Sequence, residues 1–262
     1  MMISKIGIRS NPKPRSRALA NELKNALYDR GYLLTENHPD LWIAVGGDGT
    51  FLRMVRETGF DPDTMYVGIH TGTLGFLQEI HPEQLYDFLD YIDKGEYTYD
   101  IKDILVTEIH SETGVETLYS LNEILIRNAA LKTMKAIVKI DGTFLEKFTG
   151  DGLMISTSVG STAYNMCFGG AIVDNAFATM QMTPIAPLTS RSYHTLQNSF
   201  VFPDTRTIEI SPAKRNILCT SDGDNTNHNG VEKVVITTKR NALKVLKFTD
   251  NDFVSKIREK FL

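Results

Sequence analysis

The chain has 262 residues, 42% of them hydrophobic and 23% charged, ordinary globular values that allow a buried core and exclude a disordered chain. A formal net charge of −4 excludes a nucleic-acid scaffold, whose footprint is a basic face. It still admits an anionic small molecule, because a local nest of backbone amides binds phosphate against the global charge.

The elements read in chain order as follows. The N-terminus, Met1 to Ile6, runs straight into strand-like sequence without an apolar signal core. Lys5 to Ile8 reads as a first strand, ended by Asn11-Pro12-Lys13-Pro14. Ser16 is placed to cap a helix carrying Leu19, Leu23, Ala26 and Leu27, stopped by Gly31. Leu41 to Val45 is a short apolar run of the kind a buried parallel strand shows, and a helix is expected to resume at Phe51. Met65 to Ile69 is a second such run. Pro82 suits the first turn of a helix bearing Leu85, Phe88, Leu89 and Ile92, closed by Gly95. Strands alternating with helices imply an α/β N-terminal domain with a mainly parallel sheet, over residues 1–98. Beyond it, strand-like stretches at 97–109, 116–127, 134–140, 143–148, 206–211, 216–220, 233–238 and 243–248 alternate with turns such as Glu112-Thr113-Gly114, Asp141-Gly142, Asp222-Gly223 and Asn229-Gly230. Residues 99–250 therefore read as a mostly antiparallel, β-sandwich-like C-terminal domain. Residues 251–262 read as a final helix expected to pack back on the first domain.

Two cysteines, Cys167 and Cys219, are too few for a disulfide framework or a Cys-type zinc site. The histidines His38, His70, His81, His110, His194 and His228 show no metal-ligand spacing, so no metal site is expected from spacing. No apolar stretch approaches the ~20 residues that span a bilayer, which makes a cytoplasmic protein without a membrane partner the expectation.

Three segments carry chemistry. Gly46-Gly47-Asp48-Gly49-Thr50 lies between a buried strand and a helix, where open α/β sheets gather ligands. Its glycines let the backbone approach a ligand, and the helix offers its first amides to phosphate. An aspartate there repels phosphate, which leaves it to take a proton from an attacking hydroxyl, to hold a metal ion, or merely to cap the helix. Asn122-Glu123 interrupts the run from Leu118 to Ile126; a neutral amide beside a carboxylate suits ribose hydroxyls or base edges, or else a polar pair facing water. Gly150 to Asn165 passes from Gly150-Asp151-Gly152 through small hydroxylated residues to Tyr164. That composition fits a second anion site with an aromatic available to stack on a base, or a loop with no ligand. No Gly-x-Ser-x-Gly elbow, no Gly-x-x-x-x-Gly-Lys-Ser/Thr loop and no dinucleotide fingerprint after the first strand occur, which weighs against serine hydrolases, P-loop enzymes and dehydrogenases.

With those residues in view, the chain resembles the NAD kinases. Gly46 to Thr50 alone is shared with diacylglycerol and sphingosine-type lipid kinases and, more distantly, with phosphofructokinases. Asn122-Glu123, Gly150-Asp151-Gly152 and Thr157 to Tyr164 are particular to NAD kinases, and the similarity also takes in His70 to Phe76. In length the chain is similar to the short enzymes of Gram-positive bacteria. The resemblance implies transfer of a phosphoryl group from ATP, or polyphosphate, to the 2′-hydroxyl of the adenosine ribose of NAD, giving NADP, with Mg²⁺ accompanying the donor phosphates. It implies Asp48 as the proton acceptor, with Gly49 beside it and Phe76 lining the pocket. Asn122 and Glu123 would contact the dinucleotide. Thr162, Ala163 and Tyr164 would surround the adenine, with Asn165, Met166 and Cys167 at the helix start, and Asp151, Ser158 and Ala186 would hold the nicotinamide end. Tyr193 falls where the family brings in a residue from a neighbouring subunit, implying a homotetramer built as a dimer of dimers. The chain departs from the pattern at Thr149, a binding position where some relatives carry arginine, at Leu77, in place of an aromatic, and at Val159, often proline. A lipid kinase and a non-catalytic NADP(H)-binding sensor are the competing readings. The first lacks a basic amphipathic stretch, and intact Asp48 and Asn122-Glu123 weigh against the second.

Overall fold

The computed structural model describes residues 3–72, 75–190, 194–248 and 252–262. The chain forms two compact units, one of Met1–Lys102 with Asn241–Leu262 and the other of Asp103–Arg240.

The first unit begins with β1 (Lys5–Ser10), α1 (Pro14–Asp29), β2 (Leu33–Leu34), β3 (Leu41–Gly46), α2 (Asp48–Glu57) and β4 (Met65–His70), then a 3₁₀ turn at Pro82–Gln84 and α3 (Leu85–Lys94). The four strands are parallel in the order β2-β1-β3-β4. Lys244 and Val245 add a further parallel partner against Met65 and Tyr66 of β4. Every residue of β3 and β4 is buried, which explains their unbroken apolar sequence: helices cover both faces of such a sheet. α1 starts two residues before Ser16. Pro14, with φ already helical and no N–H to leave unpaired, takes the first position; Ser16 is buried inside the helix and bonds Thr71 Oγ1 at 2.7 Å. The second helix likewise starts at Asp48 rather than Phe51, so the aspartate belongs to the helix and not to the loop before it.

The second unit is built from the part of β5 (Thr98–Ser111) beyond Lys102, β6 (Gly114–Ser120), β7 (Glu123–Asn128), β8 (Met134–Ile140), β9 (Thr143–Gly150), β10 (Gly152–Thr157), the short helix α4 (Tyr164–Cys167), β11 (Thr179–Ile185), β12 (Phe200–Pro203), β13 (Ile208–Pro212), β14 (Ile217–Ser221), β15 (Asp224–His228) and the start of β16 (Val231–Lys247). One sheet runs β12-β11-β10-β7-β14-β15, antiparallel throughout. A second set pairs β9, β8, β13 and β16, again antiparallel. A single core draws Val138, Phe148, Ile208 and Val234 from one sheet and Ile124, Ile155, Met180 and Cys219 from the other, the packing of a β-sandwich. The stretch read as one strand over 116–127 is two, broken at Leu121-Asn122, while 233–238 and 243–248 are one continuous strand, β16. After it, α5 (Phe253–Phe261) is capped by Asp252, whose carboxylate accepts the Ser255 N–H at 2.8 Å. No helix among the described residues is long and apolar enough to cross a membrane.

Candidate active site

The glycine loop does what its composition requires of it. β3 ends at Gly46, Gly47 sits extended as the N-cap of α2, and the N–H groups of Thr50 and Phe51 both turn back to the Gly47 carbonyl. Gly46 has no room for a side chain, since a Cβ would stand 2.3 Å from Thr50 Oγ1.

Asp48 does not cap its own helix. Its carboxylate reaches to the segment after β4, where Oδ2 accepts the Phe76 N–H at 3.0 Å and Oδ1 the Leu77 N–H at 3.1 Å. One backbone donor on each oxygen fixes the plane of the group and leaves further lone pairs free to accept a proton. Gly75 makes this approach possible, because a Cβ there would lie 1.9 Å from Asp48 Oδ1. Gly49, beside it, is exposed. The last helix of the same unit completes the surroundings. Phe76 packs against Phe253 and Phe261, with ring centroids 6.2 and 5.6 Å away. Lys256 pairs with Glu79 and donates to the Phe76 carbonyl at 3.4 Å. Lys260 Nζ stands 3.6 Å from Asp48 Oδ2 and 5.0 Å above the Phe76 ring.

In the second unit two segments converge on Asn122 and Glu123. Asp222 is the staple: its carboxylate accepts the N–H groups of Leu121, Asn122 and Glu123 at 2.7, 2.8 and 3.2 Å. It can do so because Asp222 and Gly223, at φ 46° and 84°, form the tight turn between β14 and β15 that aims the side chain across at β7. From the other side, Thr157 Oγ1 donates to the Leu121 carbonyl at 2.7 Å, the Thr157 N–H goes to the Asn122 carbonyl at 2.9 Å, and the Gly160 N–H returns to Thr157 Oγ1 at 3.1 Å. A Cβ on Gly160 would sit 2.1 Å from the Asn122 carbonyl oxygen, so only glycine permits the contact.

Glu123 is 6% exposed. Burial, then the Asp222 charge, push its carboxyl up to about 8, against a weaker pull downward from the Tyr164 backbone N–H. Its Oε2, Asn122 Oδ1 and Asn165 Nδ2 are buried with no partner among the described residues. Buried polar atoms are normally hydrogen-bonded, and the unpaired oxygens of Asn122 and Glu123, neighbours at the start of β7, mark a place for a polar ligand. Asn165 Nδ2 instead lies against Gly170, where a Cβ would come within 2.1 Å of it. Asn165 is itself held, its Oδ1 accepting from Thr183 Oγ1 at 2.6 Å. Around it Thr162 is buried, Ala163 and Met166 are half-buried, Cys167 is exposed, and Tyr164 is 42% exposed with its ring edge-on to Phe168 at 4.9 Å. Ser158, half-buried, stands at the same end of β10.

Thr149, Asp151 and Ala186 are gathered elsewhere. The Asp151 N–H bonds the Ile185 carbonyl at 2.8 Å, Leu188 N–H bonds the Thr149 carbonyl at 2.8 Å, and Ala186 holds φ 43°. They flank Gly152, at the opposite end of the six-residue β10 from Ser158, about 17 Å away at strand rise. Leu77 and Val159 are buried apolar residues, and Thr149 is buried too. Tyr193, with Thr73 and Leu74, lies outside the described residues. In the sequence Asp222-Gly223 reads only as a turn and Lys260 only as part of the final helix, so neither stands out as a site residue. The Asp-Gly signal locates a hairpin but carries no information about what the aspartate reaches.

The model of the ATP-NAD kinase N-terminal domain matches residues 6–97, and that of the ATP-NAD kinase C-terminal domain matches residues 121–248. Among curated proteins, NAD kinase 1 of Halalkalibacterium halodurans is 32% identical over 252 residues, covering 94% of each chain. NAD kinase of Streptococcus gordonii is 35% identical over 212 residues, covering 80% of this chain and 77% of its own. Among solved structures, yeast NADH kinase complexed with NADH superposes with a TM-score of 0.87 at 21% identity, over 99% of this chain and 88% of that one. An NAD kinase from Archaeoglobus fulgidus in complex with ATP gives 0.76 at 20% identity, over 97% and 99%.

Proposed function

The chain belongs to the ATP-NAD kinase family, and we propose that it transfers the terminal phosphoryl group of ATP, or of polyphosphate, to the 2′-hydroxyl of the adenosine ribose of NAD. NAD kinase function is supported by relatives matched over nearly the whole chain.

The observation that supports it best is Asp48, its two oxygens each fixed by one backbone N–H at the head of α2. A carboxylate so oriented accepts the proton of the attacking hydroxyl, while the glycine loop and the start of α2 receive the donor phosphates. Asn122, Glu123 and the segment from Ser158 to Cys167 recognise the dinucleotide, whose hydroxyls would satisfy the unpaired oxygens of Asn122 and Glu123. Among the described residues no group of three His, Cys, Asp or Glu side chains stands ready to hold a metal ion. A divalent cation, Mg²⁺ in this reading, accompanies the donor's phosphates and offsets their charge there. The NADH complex of the yeast neighbour and the ATP complex of the archaeal one support a reduced or oxidised dinucleotide and ATP as ligands. A cytoplasmic homotetramer, with Tyr193 completing a neighbouring subunit's site, is part of the same proposal.

The test is incubation with NAD, ATP and Mg²⁺, coupled to an NADP-specific dehydrogenase. Signal above a heat-killed control is the expected result. A protein that binds NADP(H) but gives no such signal would instead be a sensor.

A further inference from the structure

We propose that Lys260, on the C-terminal helix, is the cation that holds the transferring phosphoryl group of the donor. The inference rests on the kinase reading above and adds a residue to it.

The glycine loop itself carries no positive side chain, and its one charged group, Asp48, repels phosphate. In phosphoryl transfer the charge spreads over the equatorial oxygens, and catalysis consists mostly of positioning and of meeting that charge. Lys260 is the basic side chain that the fold brings to Asp48, its Nζ 3.6 Å from Oδ2 and over the face of Phe76. The pairing is looser than a hydrogen bond, and both side chains keep contact with solvent, 33% and 27% exposed. Such a pair is weak and readily exchanged. An ammonium has three N–H donors, so it can keep one toward Asp48 and turn others to a phosphoryl oxygen.

Lys256, one turn earlier, is engaged differently, with its ammonium on Glu79 and on the Phe76 carbonyl. Together with the packing of Phe253 and Phe261 on Phe76, that anchor holds α5 on the Phe76–Glu79 segment. The same segment donates the two N–H groups that orient Asp48. One anchored element thus sets both the base and the cation. In the step itself, the ribose 2′-oxygen forms the new bond to phosphorus, and the bond to the bridging oxygen breaks. ADP leaves with the electron pair and the hydroxyl proton passes to Asp48. Lys260 neither gives nor takes a proton; it holds the oxygens of the group in flight.

The experiment compares full-length wild type with Lys260→Met and Lys260→Arg, and with Lys260→Gln should the Met variant fail to fold. Steady-state kinetics are read for both substrates, and binding of a non-hydrolysable ATP analogue with Mg²⁺ is read by calorimetry without NAD. The expected result is a loss of about 10- to 100-fold in kcat/KM for ATP, the range for one charge-assisted hydrogen bond, and a matching loss of analogue affinity. KM for NAD should stay within about twofold, and Lys260→Arg should recover most of the loss. Unchanged ATP parameters overturn the assignment, and so does an equal weakening toward both substrates, which would mean a structural role. If the wild type does not phosphorylate NAD but the Met variant still loses analogue binding, the kinase reading fails and Lys260 stands as a phosphate ligand.

Discussion

Replacing Glu123 by Gln removes the carboxyl that burial and the Asp222 charge push up to about 8, against an ordinary value of 4.5. Between those values the folded chain keeps the Glu123 proton and the unfolded chain has lost it. The folded state then binds more protons, so this group makes stability fall as pH rises through the window. At pH 7 the unfolded carboxyl is ionised by about 2.5 pH units of driving force that the folded site refuses, a cost on the order of 3 kcal/mol at about 1.4 kcal/mol per unit. Below about pH 4.5 the cost is absent, and above about 8 it is fully present. Gln carries no such titration and keeps the size of the side chain. The measurement is urea unfolding of both proteins at pH 5 and pH 7.5. Wild type should lose about 3 kcal/mol more than Glu123→Gln over that interval. Parallel losses, within about 0.5 kcal/mol, would mean that Glu123 is ionised in the folded site and that the burial argument is wrong. Ligand binding gives an independent check: ribose hydroxyls donating to Glu123 favour its ionised form, so NAD binding at pH 7 should release protons, seen as a binding enthalpy that depends on the buffer.

Three other outcomes follow from the same geometry. Asp48→Asn should lower turnover by about 10²–10⁴-fold while KM for NAD is held, the usual worth of a general base; near-normal turnover in the coupled assay would remove Asp48 from that role. Gly75→Ala should cost about 10²-fold in kcat with little change in NAD affinity, because a methyl 1.9 Å from Asp48 Oδ1 forces the carboxylate aside, and displacements of about 1 Å cost that much. A wild-type kcat in that variant would show that the carboxylate position does not matter. His70 is kept below its ordinary 6.5 by burial and by His81. Its Nδ1–H must go to the Gly72 carbonyl at 3.0 Å, so its neutral Nε2 accepts from His81 Nδ1 at 2.8 Å, a pair that survives protonation of Nε2 only if His81 changes tautomer. With a lowered folded pKa the contribution is intact above about 6.5 and lost as pH falls below it, so thermal melts from pH 7.5 to 5.5 should show a drop in wild type that His70→Asn lacks.

How far the sequence was legible depended on the range of the interaction. The parallel sheet was readable because β3 and β4 are buried on all residues and so carry unbroken apolar runs. β11 was not, since Gln181 and Pro184 sit among its apolar residues. The Gln181 side chain bonds the Ala171 backbone at both ends, a contact that hides a polar residue in a buried strand. The break at Asn122 was visible as a polar interruption, but its cause, three N–H groups drawn to Asp222, comes from a turn about a hundred positions away.

The site divides the same way. Asp48, Asn122, Glu123 and the Thr157–Asn165 segment announced themselves by unusual residue types in short runs. The residues that hold and complete them, Asp222 and Lys260, are of common types on an ordinary hairpin and an ordinary amphipathic helix. Nothing local distinguishes such residues, because their contribution is a charge delivered to a particular atom, and only the fold determines which atom that is. Both act on a carboxylate neighbourhood: Asp222 raises the proton affinity of Glu123, and Lys260 offers a counter-charge to Asp48. One acidic side chain is thereby held toward its protonated form in a closed site, while the other stands in a half-open one with its oxygens oriented by backbone donors. Two carboxylates in one chain can take opposite parts only when their environments differ in this way.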